Sequence, residues 1–264
     1  MSYLSVKRIG AGYGKHNVIE NISFDLDDGT LMGIIGANGS GKTTLLKALC
    51  GILPHQGNCT LEGTVLEELS ARQLAKLVSY IPQRSGISID ISALDVVMMG
   101  FNPRLGLLEH PTKKMQDAAM SALKQVGLGG KEEANYLHLS EGQKQLCILA
   151  RTLVSGSRLQ LLDEPESASD FRFRYQMLSL LRGWVASGER SALVTLHDPS
   201  LALNFCDKLL LLTDEGVLGM LEPQTDSLDK MEQMLSMVYG NISLQRCKNR
   251  TGESQIVILR EGEA

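Results

Sequence analysis

The chain has 264 residues, 43% hydrophobic and 21% charged, enough for a large core and one or two domains of an ordinary globular protein. Its formal net charge of −4 excludes the basic footprint of a nucleic-acid binder, and no apolar run approaches the roughly 18 residues of a membrane span. Five scattered cysteines without a C-x-x-C pair predict reduced thiols in a cytosolic protein, and the absence of a basic-then-apolar leader predicts no signal peptide.

Residues 1–30 read as strands. Ile22, Phe24 and Leu26 alternate with Ser23, Asp25 and Asp27, the period of a half-buried strand, and Asp28-Gly29 marks a turn. Tyr13, between Gly12 and Gly14, reads as a loop residue before this strand. Leu31, Met32, Gly33, Ile34 and Ile35 then read as a buried strand, and residues 45–50 as a helix stopped at Gly51. Between them runs Gly36-Ala37-Asn38-Gly39-Ser40-Gly41-Lys42-Thr43-Thr44. Strand, glycine-rich loop, then helix is the setting that G-x-x-x-x-G-K-[ST] requires to hold a nucleotide. Glycines let successive N–H groups turn inward onto phosphate oxygens, and the helix N-terminus adds a positive dipole end. Lys42 reaches the β- and γ-phosphates, and Thr43 offers a hydroxyl to Mg²⁺.

Further along, residues 56–66 predict a short strand pair, and Ser70 with Gln73 a capping box that opens a helix ending at Leu77. Val78, Ser79, Tyr80 and Ile81 read as a strand stopped by Pro82, with Gln83 just beyond. Residues 87–155 are mostly helical. One candidate covers 93–99; another carries Met115, Ala119, Ala122, Leu123 and Val126 on one face, with Gly127 as its stop. Met98, Met99, Met115 and Met120 read as packing or adaptable contact surface rather than metal ligands. Ser140 is a natural N-cap for a helix reaching Leu153. Strands follow at 158–162, ending in Asp163-Glu164, at 191–196, ending at His197, and at 208–213. A carboxylate at the end of a buried strand, in a chain with a phosphate loop, is a second Mg²⁺ anchor. The tail reads as a helix over 228–238 and two strands, 242–246 and 255–260, around Thr251-Gly252. Alternation of strand and helix implies an α/β fold with a largely parallel sheet.

Together these pieces resemble an ATP-binding cassette (ABC) ATPase, the motor subunit of ABC transporters, over essentially the whole chain. Residues 36–44 match Walker A, and Asp163-Glu164-Pro165 match Walker B and the glutamate after it. Residues 139–143 match the L-S-G-G-Q signature; Gln83 falls at the Q-loop, Tyr13 at the A-loop, Ser167-Ala168-Ser169-Asp170 at the D-loop and His197 at the switch histidine. The resemblance implies a RecA-like P-loop core (31–55, 67–86 and 155–225), an N-terminal antiparallel β-subdomain (1–30 and 56–66), an inserted helical subdomain (87–154) and a C-terminal helix with a hairpin (226–264). It implies that Tyr13 stacks on adenine and that Gly36, Asn38, Gly39, Ser40, Gly41, Lys42, Thr43 and Thr44 bind the phosphates of ATP. Thr43, Asp163 and Gln83 would attend Mg²⁺. Glu164 would act as general base, with His197, Lys42 and Gln83 completing the catalytic set. Ser140, Gly142, Gln143 and Asp170 would act across a homodimer on ATP held by the opposite subunit.

Three positions depart from the family pattern. Glu141 replaces the first signature glycine and sets an acid near a docking γ-phosphate, tolerable if its side chain faces away. Gln160 interrupts an otherwise apolar Walker B strand, and Ser169 replaces a D-loop leucine. Residues 92–100 and the tail are most similar to ATPases of importers for iron–siderophore, haem and cobalamin. That resemblance implies two membrane permease subunits and an extracytoplasmic binding protein as partners, at the cytoplasmic face of the membrane. It also implies a permease-docking surface formed by the Gln83 loop and residues 87–107, with 96–101 as its adaptable part. A soluble ABC ATPase of iron–sulfur cluster assembly is the alternative.

Overall fold

The period-two alternation of Ile22, Phe24 and Leu26 becomes strand, with those three side chains buried. The computed structural model describes residues 2–106, 108–165, 171–188 and 190–260. A hairpin of β1 (Leu4–Tyr13) and β2 (His16–Leu26) leads into β3 (Leu31–Gly36) and α1 (Lys42–Leu49). Then come β4 (His55–Leu61), β5 (Thr64–Val65), α2 (Ala71–Leu77) and β6 (Val78–Ile81). A helical stretch holds α3 (Ala93–Met98), α4 (Lys113–Gln125) and α5 (Glu141–Ser155). The chain returns through β7 (Leu159–Asp163), α6 (Phe171–Val185), β8 (Ser191–Thr195), α7 (Pro199–Phe205), β9 (Lys208–Thr213) and β10 (Gly216–Leu221), and closes with α8 (Leu228–Tyr239), β11 (Ile242–Lys248) and β12 (Ser254–Arg260).

Strands β2-β1-β4-β5 form an antiparallel sheet. The larger sheet has the order β10-β9-β3-β8-β7-β6 and is parallel except for its β10 edge. This is the P-loop α/β fold, with an antiparallel N-terminal sheet and a helical insertion. Parallel strands must be covered on both faces, and the alternation along each strand matches that need. Leu31 and Ile35 of β3, Leu162 of β7 and Val194 of β8 join the cluster that includes α3, α5 and α6. Met32 and Ile34, Leu159 and Leu161, and Leu193 point the other way, into the cluster shared with α1 and the N-terminal sheet.

The capping box read from sequence forms at Ser70 with Gln73, and the Ser140 N-cap forms as one half of a box with Gln143; a third box forms at Ser92 with Asp95. Three elements go beyond the sequence reading. Phe171-Arg172-Phe173-Arg174-Tyr175 alternates like a strand, yet it opens α6, because Phe173, Met177, Leu178, Leu181 and Val185 form one buried helical stripe. Helix α7 is only seven residues, started by an Asp198 cap and Pro199, and β10 slips register against β9 between Val217 and Gly219. Tyr13 is also not in a free loop: it ends β1 and pairs with His16 across the hairpin. The segment 96–101 is core rather than contact surface. Val96, Val97, Gly100 and Phe101 are buried between α4 and α5, leaving Met98 and Met99 half-exposed.

Gln160 is fully buried in β7, and its amide is satisfied. Its Nε2 donates to Ser157 Oγ at 2.6 Å and to Ser157 O at 3.3 Å, and the Ser79 hydroxyl donates to its Oε1. The polar break in the strand is therefore a closed hydrogen-bond unit that ties β7 to β6. Replacing Ser157 with Ala leaves a buried amide N–H short of its better acceptor, a loss of about 1–3 kcal/mol. Urea unfolding of Ser157→Ala is expected to show a lower midpoint at unchanged slope.

Candidate nucleotide site

All the parallel strands end on one side of the sheet, and their register brings those ends level. Ile34 of β3 is opposite Thr195 of β8, and Thr195 is opposite Asp163 of β7; Ile81 of β6 is opposite Leu162. The loop after β3 is fixed by close packing. A Cβ at Gly36 would lie 2.2 Å from Leu212 O, and one at Gly41, whose φ is 88°, would lie 2.2 Å from Ile19 Cγ2. Lys42 begins α1, and its Nζ donates back to Gly36 O (2.9 Å) and Ala37 O (3.0 Å). Burial pushes the Lys42 ammonium down, and the nearby Glu164 and Asp163 carboxylates oppose that shift. The loop hollow is lined by Val18, Asn38, Gly39, Lys42, Thr43 and Glu164.

Asp163 accepts three hydroxyls. Thr43 donates to Oδ1 at 2.8 Å, Thr195 to Oδ1 at 3.0 Å and Tyr80 to Oδ2 at 3.0 Å. Burial, reinforced by the Asp163 charge, pushes the Tyr80 phenol well above its usual range, so it stays a donor. Glu164, one residue on, has a left-handed backbone with φ 46°, a conformation non-glycine residues adopt only at a cost. Its N–H donates to Thr195 Oγ1 at 2.8 Å. Its carboxylate is held at both oxygens: Gln83 Nε2 donates to Oε2 at 2.7 Å, and His197 Nε2 lies 2.6 Å from Oε1. Thus Lys42, Thr43, Asp163, Glu164, Gln83 and His197, spread from one end of the core to the other, meet at one sheet edge.

Sequence reasoning missed Tyr80, Thr195 and Gln145. The first two sit at strand ends, where a hydroxyl next to apolar neighbours was the available signal. Gln145, buried in α5, donates from Nε2 to the Gln83 carbonyl at 2.7 Å, and Tyr136 OH donates to Ser85 Oγ at 2.7 Å. The Gln83 loop is therefore tied to the helical region as well as to Glu164.

Other residues from the sequence reading lie apart. Ser140, Gly142 and Gln143 line a separate groove with Leu128, Phe173 and Gln176. Ser140 and Gln143 are engaged in their own capping box, at 3.3 Å and 3.2 Å. Gly142 has no room for a side chain, since a Cβ would lie 2.8 Å from the Phe173 ring. Tyr13 is 51% exposed and lines a third groove with Asn17, Leu53 and His55. Asp170, with Ser167, Ala168 and Ser169, lies outside the described residues.

A family model described as ABC transporter matches residues 19–167. The chain belongs to the ABC transporter family. A hemin import ATP-binding protein of Bordetella bronchiseptica is 35% identical over 248 residues, covering 90% of this chain and 92% of that one. An iron chelatin transport ATP-binding protein of Helicobacter pylori is 33% identical over 214 residues, covering 80% and 84%. Among solved structures, an inward-facing metal-chelate type ABC transporter has a chain that superposes with a TM-score of 0.83 at 27% identity, covering 99% of both chains. This chain is thus an ATP-binding ABC ATPase.

Within this ABC ATPase, the acid at the signature lines the same groove as Ser140, Gly142 and Gln143. Glu141 is exposed and its carboxylate pairs with Lys144 Nζ at 2.7 Å, one helical turn on. An acid in the first turn of α5 is also favoured by the helix dipole. Glu141→Gly is therefore expected to leave the ATP concentration for half-maximal turnover within about twofold, since an exposed i,i+3 pair contributes well under 1 kcal/mol. Phosphate release measured over an ATP series checks this.

Proposed function

We propose that this ABC ATPase is the motor subunit of an importer for a metal chelate of the iron–siderophore, haem or cobalamin class. The observation that carries the chemistry is the Glu164 carboxylate, gripped by Gln83 on one oxygen and His197 on the other, beside Lys42 and the hydroxyl-lined Asp163. The substrate class rests on the names and similarity of the hemin and iron chelatin relatives and the metal-chelate transporter chain.

In this reading the inward-turning loop from Gly36 to Thr44, with Asn38, Gly39, Ser40 and Gly41, cradles the phosphates of ATP. Lys42 exchanges its two carbonyl acceptors for β- and γ-phosphate oxygens. Tyr13 stacks on adenine. The hydroxyl of Thr43, the Asp163 carboxylate and the Gln83 amide are hard oxygen donors suited to Mg²⁺. When bound, that ion neutralises phosphate charge. Glu164 accepts a proton from the attacking water or orients it, its carboxylate aimed by Gln83 and His197. Phosphoryl transfer needs positioning and charge stabilisation more than covalent help, which suits a site made of held side chains. Ser140, Gly142, Gln143 and Asp170 act on the nucleotide of a second copy, and the separation of Ser140, Gly142 and Gln143 from the Lys42 hollow supports a head-to-tail homodimer with two shared sites.

The proposed coupling runs through the Gln83 loop. Residues 87–154 act as a helical subdomain that moves against the core, drawn by Gln145 and Tyr136 when the site closes. The permease is received not by the buried Val96, Val97 and Phe101 but by the groove lined by Ala71, Leu74, Ala75, the half-exposed Met99 and Pro103. Arg72 fastens the far rim by donating to Pro103 O and Leu105 O. Among the described residues no helix is long and apolar enough to cross a membrane, so two permease subunits supply the path, fed by an extracytoplasmic binding protein. The chain sits peripherally at the cytoplasmic face.

Glu164→Gln is expected to bind ATP yet release phosphate about 100-fold or more slowly, and to accumulate as a dimer in Mg-ATP. Near-normal turnover removes Glu164 from the reaction. Tyr80→Phe is expected to raise the Mg²⁺ concentration for half-maximal turnover about tenfold, because Asp163 loses one of its three donors. In proteoliposomes with permease and binding protein, an iron chelate, haem or a corrinoid is expected to stimulate ATPase activity. Stimulation by an amino acid alone overturns the substrate class, and failure to co-purify with any permease overturns the transport reading in favour of a soluble ATPase.

A further inference from the structure

Three ligand-type side chains that the nucleotide site does not use converge where β4 begins. His55 opens the strand, Cys59 lies within it, and Glu67 comes from the 3₁₀ turn Leu66–Glu68 that follows β5. One ligand atom of each, ring nitrogen, thiol sulfur and carboxylate oxygen, lies within 4.8 Å of the others. Such a convergence is not given by strand spacing alone, because His55 and Cys59 are four positions apart. It arises because β1 slips register between Lys7 and Gly10 opposite β4, where Gly57 has φ 91°; bulged pairing of this kind bends the ribbon.

The hydrogen bonding around the trio leaves room for a cation. His55 Nδ1 lies 3.2 Å from the Gln56 carbonyl, which accepts only, so this nitrogen is the donor. In the neutral ring, Nε2 then carries a lone pair, and it faces Glu67 Oε1 at 3.7 Å. Two acceptors turned toward each other are a pair that a metal ion can bridge. A backbone carbonyl on the far nitrogen is also the arrangement that orients a metal-ligating histidine. Glu67 is positioned independently by the Cys59 N–H, which donates to Oε1 at 2.6 Å.

We infer that His55 Nε2, Cys59 Sγ and Glu67 form a three-ligand site for a transition-metal ion, with Zn²⁺ the best match. Imidazole, thiolate and carboxylate together are a borderline-soft set that suits Zn²⁺ and disfavours Mg²⁺ or Ca²⁺. Tetrahedral Zn²⁺, at about 2.3 Å to sulfur and about 2.0 Å to nitrogen and oxygen, wants ligand atoms roughly 3.3–3.6 Å apart. The His55–Glu67 pair is already near that spacing. The sulfur closes the remaining gap by contraction of side chains, and a water completes the fourth position. Binding forms a metal–sulfur bond and releases the thiol proton to solvent. His55 is opposite Ala11 and lines the same groove as Tyr13, so the ion ties the start of β4 to the turn after β5 beside that tyrosine. The site is separate from the Thr43–Asp163 pair and uses no residue assigned to the nucleotide.

The test uses the full-length protein, stripped with chelator, dialysed and free of nucleotide. Competition with a chromophoric chelator is expected to find one Zn²⁺ per chain. The Co²⁺ form is expected to show a near-ultraviolet thiolate-to-metal charge-transfer band. Cys59→Ser is expected to abolish the band, and His55→Ala to weaken Zn²⁺ binding about tenfold or more, while Cys247→Ser changes neither. Retained ATP turnover reports that each variant is folded. Absence of stoichiometric Zn²⁺, a charge-transfer band surviving Cys59→Ser, or unchanged affinity in His55→Ala overturns the site.

Discussion

One hydroxyl holds the two carboxylates of the nucleotide site in their different attitudes. Thr195, the last residue of β8, donates to Asp163 Oδ1 and accepts the N–H of Glu164. Asp163 is thereby kept facing Thr43, while the chain turns through a left-handed residue and gives the Glu164 carboxylate, on the wall of the phosphate-loop hollow, to Gln83 and His197. The strained φ of Glu164 persists because its N–H and both carboxylate oxygens are already engaged. Adjacent acids would otherwise be expected to compete for the same cation. Here the backbone turn separates a hydroxyl-bound carboxylate from an amide- and imidazole-bound one.

That separation depends on the sheet beneath it. Parallel pairing places the ends of β3, β8, β7 and β6 level, so residues far apart in sequence become neighbours at one edge. The same pairing demands burial on both faces, which is why a polar residue inside β7 needs a complete set of partners. Gln160 finds them in Ser157 and Ser79, and the strand loses nothing by it.

The Gln83 loop is the connection between this rigid edge and the helices. Its carbonyl is held by Gln145 of α5 and its amide reaches Glu164, so a shift of α5 against the sheet pulls on the carboxylate directly. A physical link of this kind gives the proposed coupling a definite carrier: two hydrogen bonds on one residue, one to each body.

Much was legible locally. The glycine-rich loop between a buried strand and a helix, the capping box at Ser70, the N-cap at Ser140 and the α4 stripe all form, because each depends on side chains a few positions apart. Helix α6 was not read locally, because its buried stripe appears only over fifteen residues. Exposure was the poorest guess. Val96, Val97 and Phe101 read as a partner surface, but α4 and α5 fold over them. The sequence by itself determined most of the elements, though not α6, α7 or β10, together with the phosphate loop and the identity of the acids at the end of β7. Only the tertiary structure decided what those acids touch. The three hydroxyls on Asp163 come from positions 120, 83 and 32 residues away, and strand register across the sheet, not local pattern, brings them together.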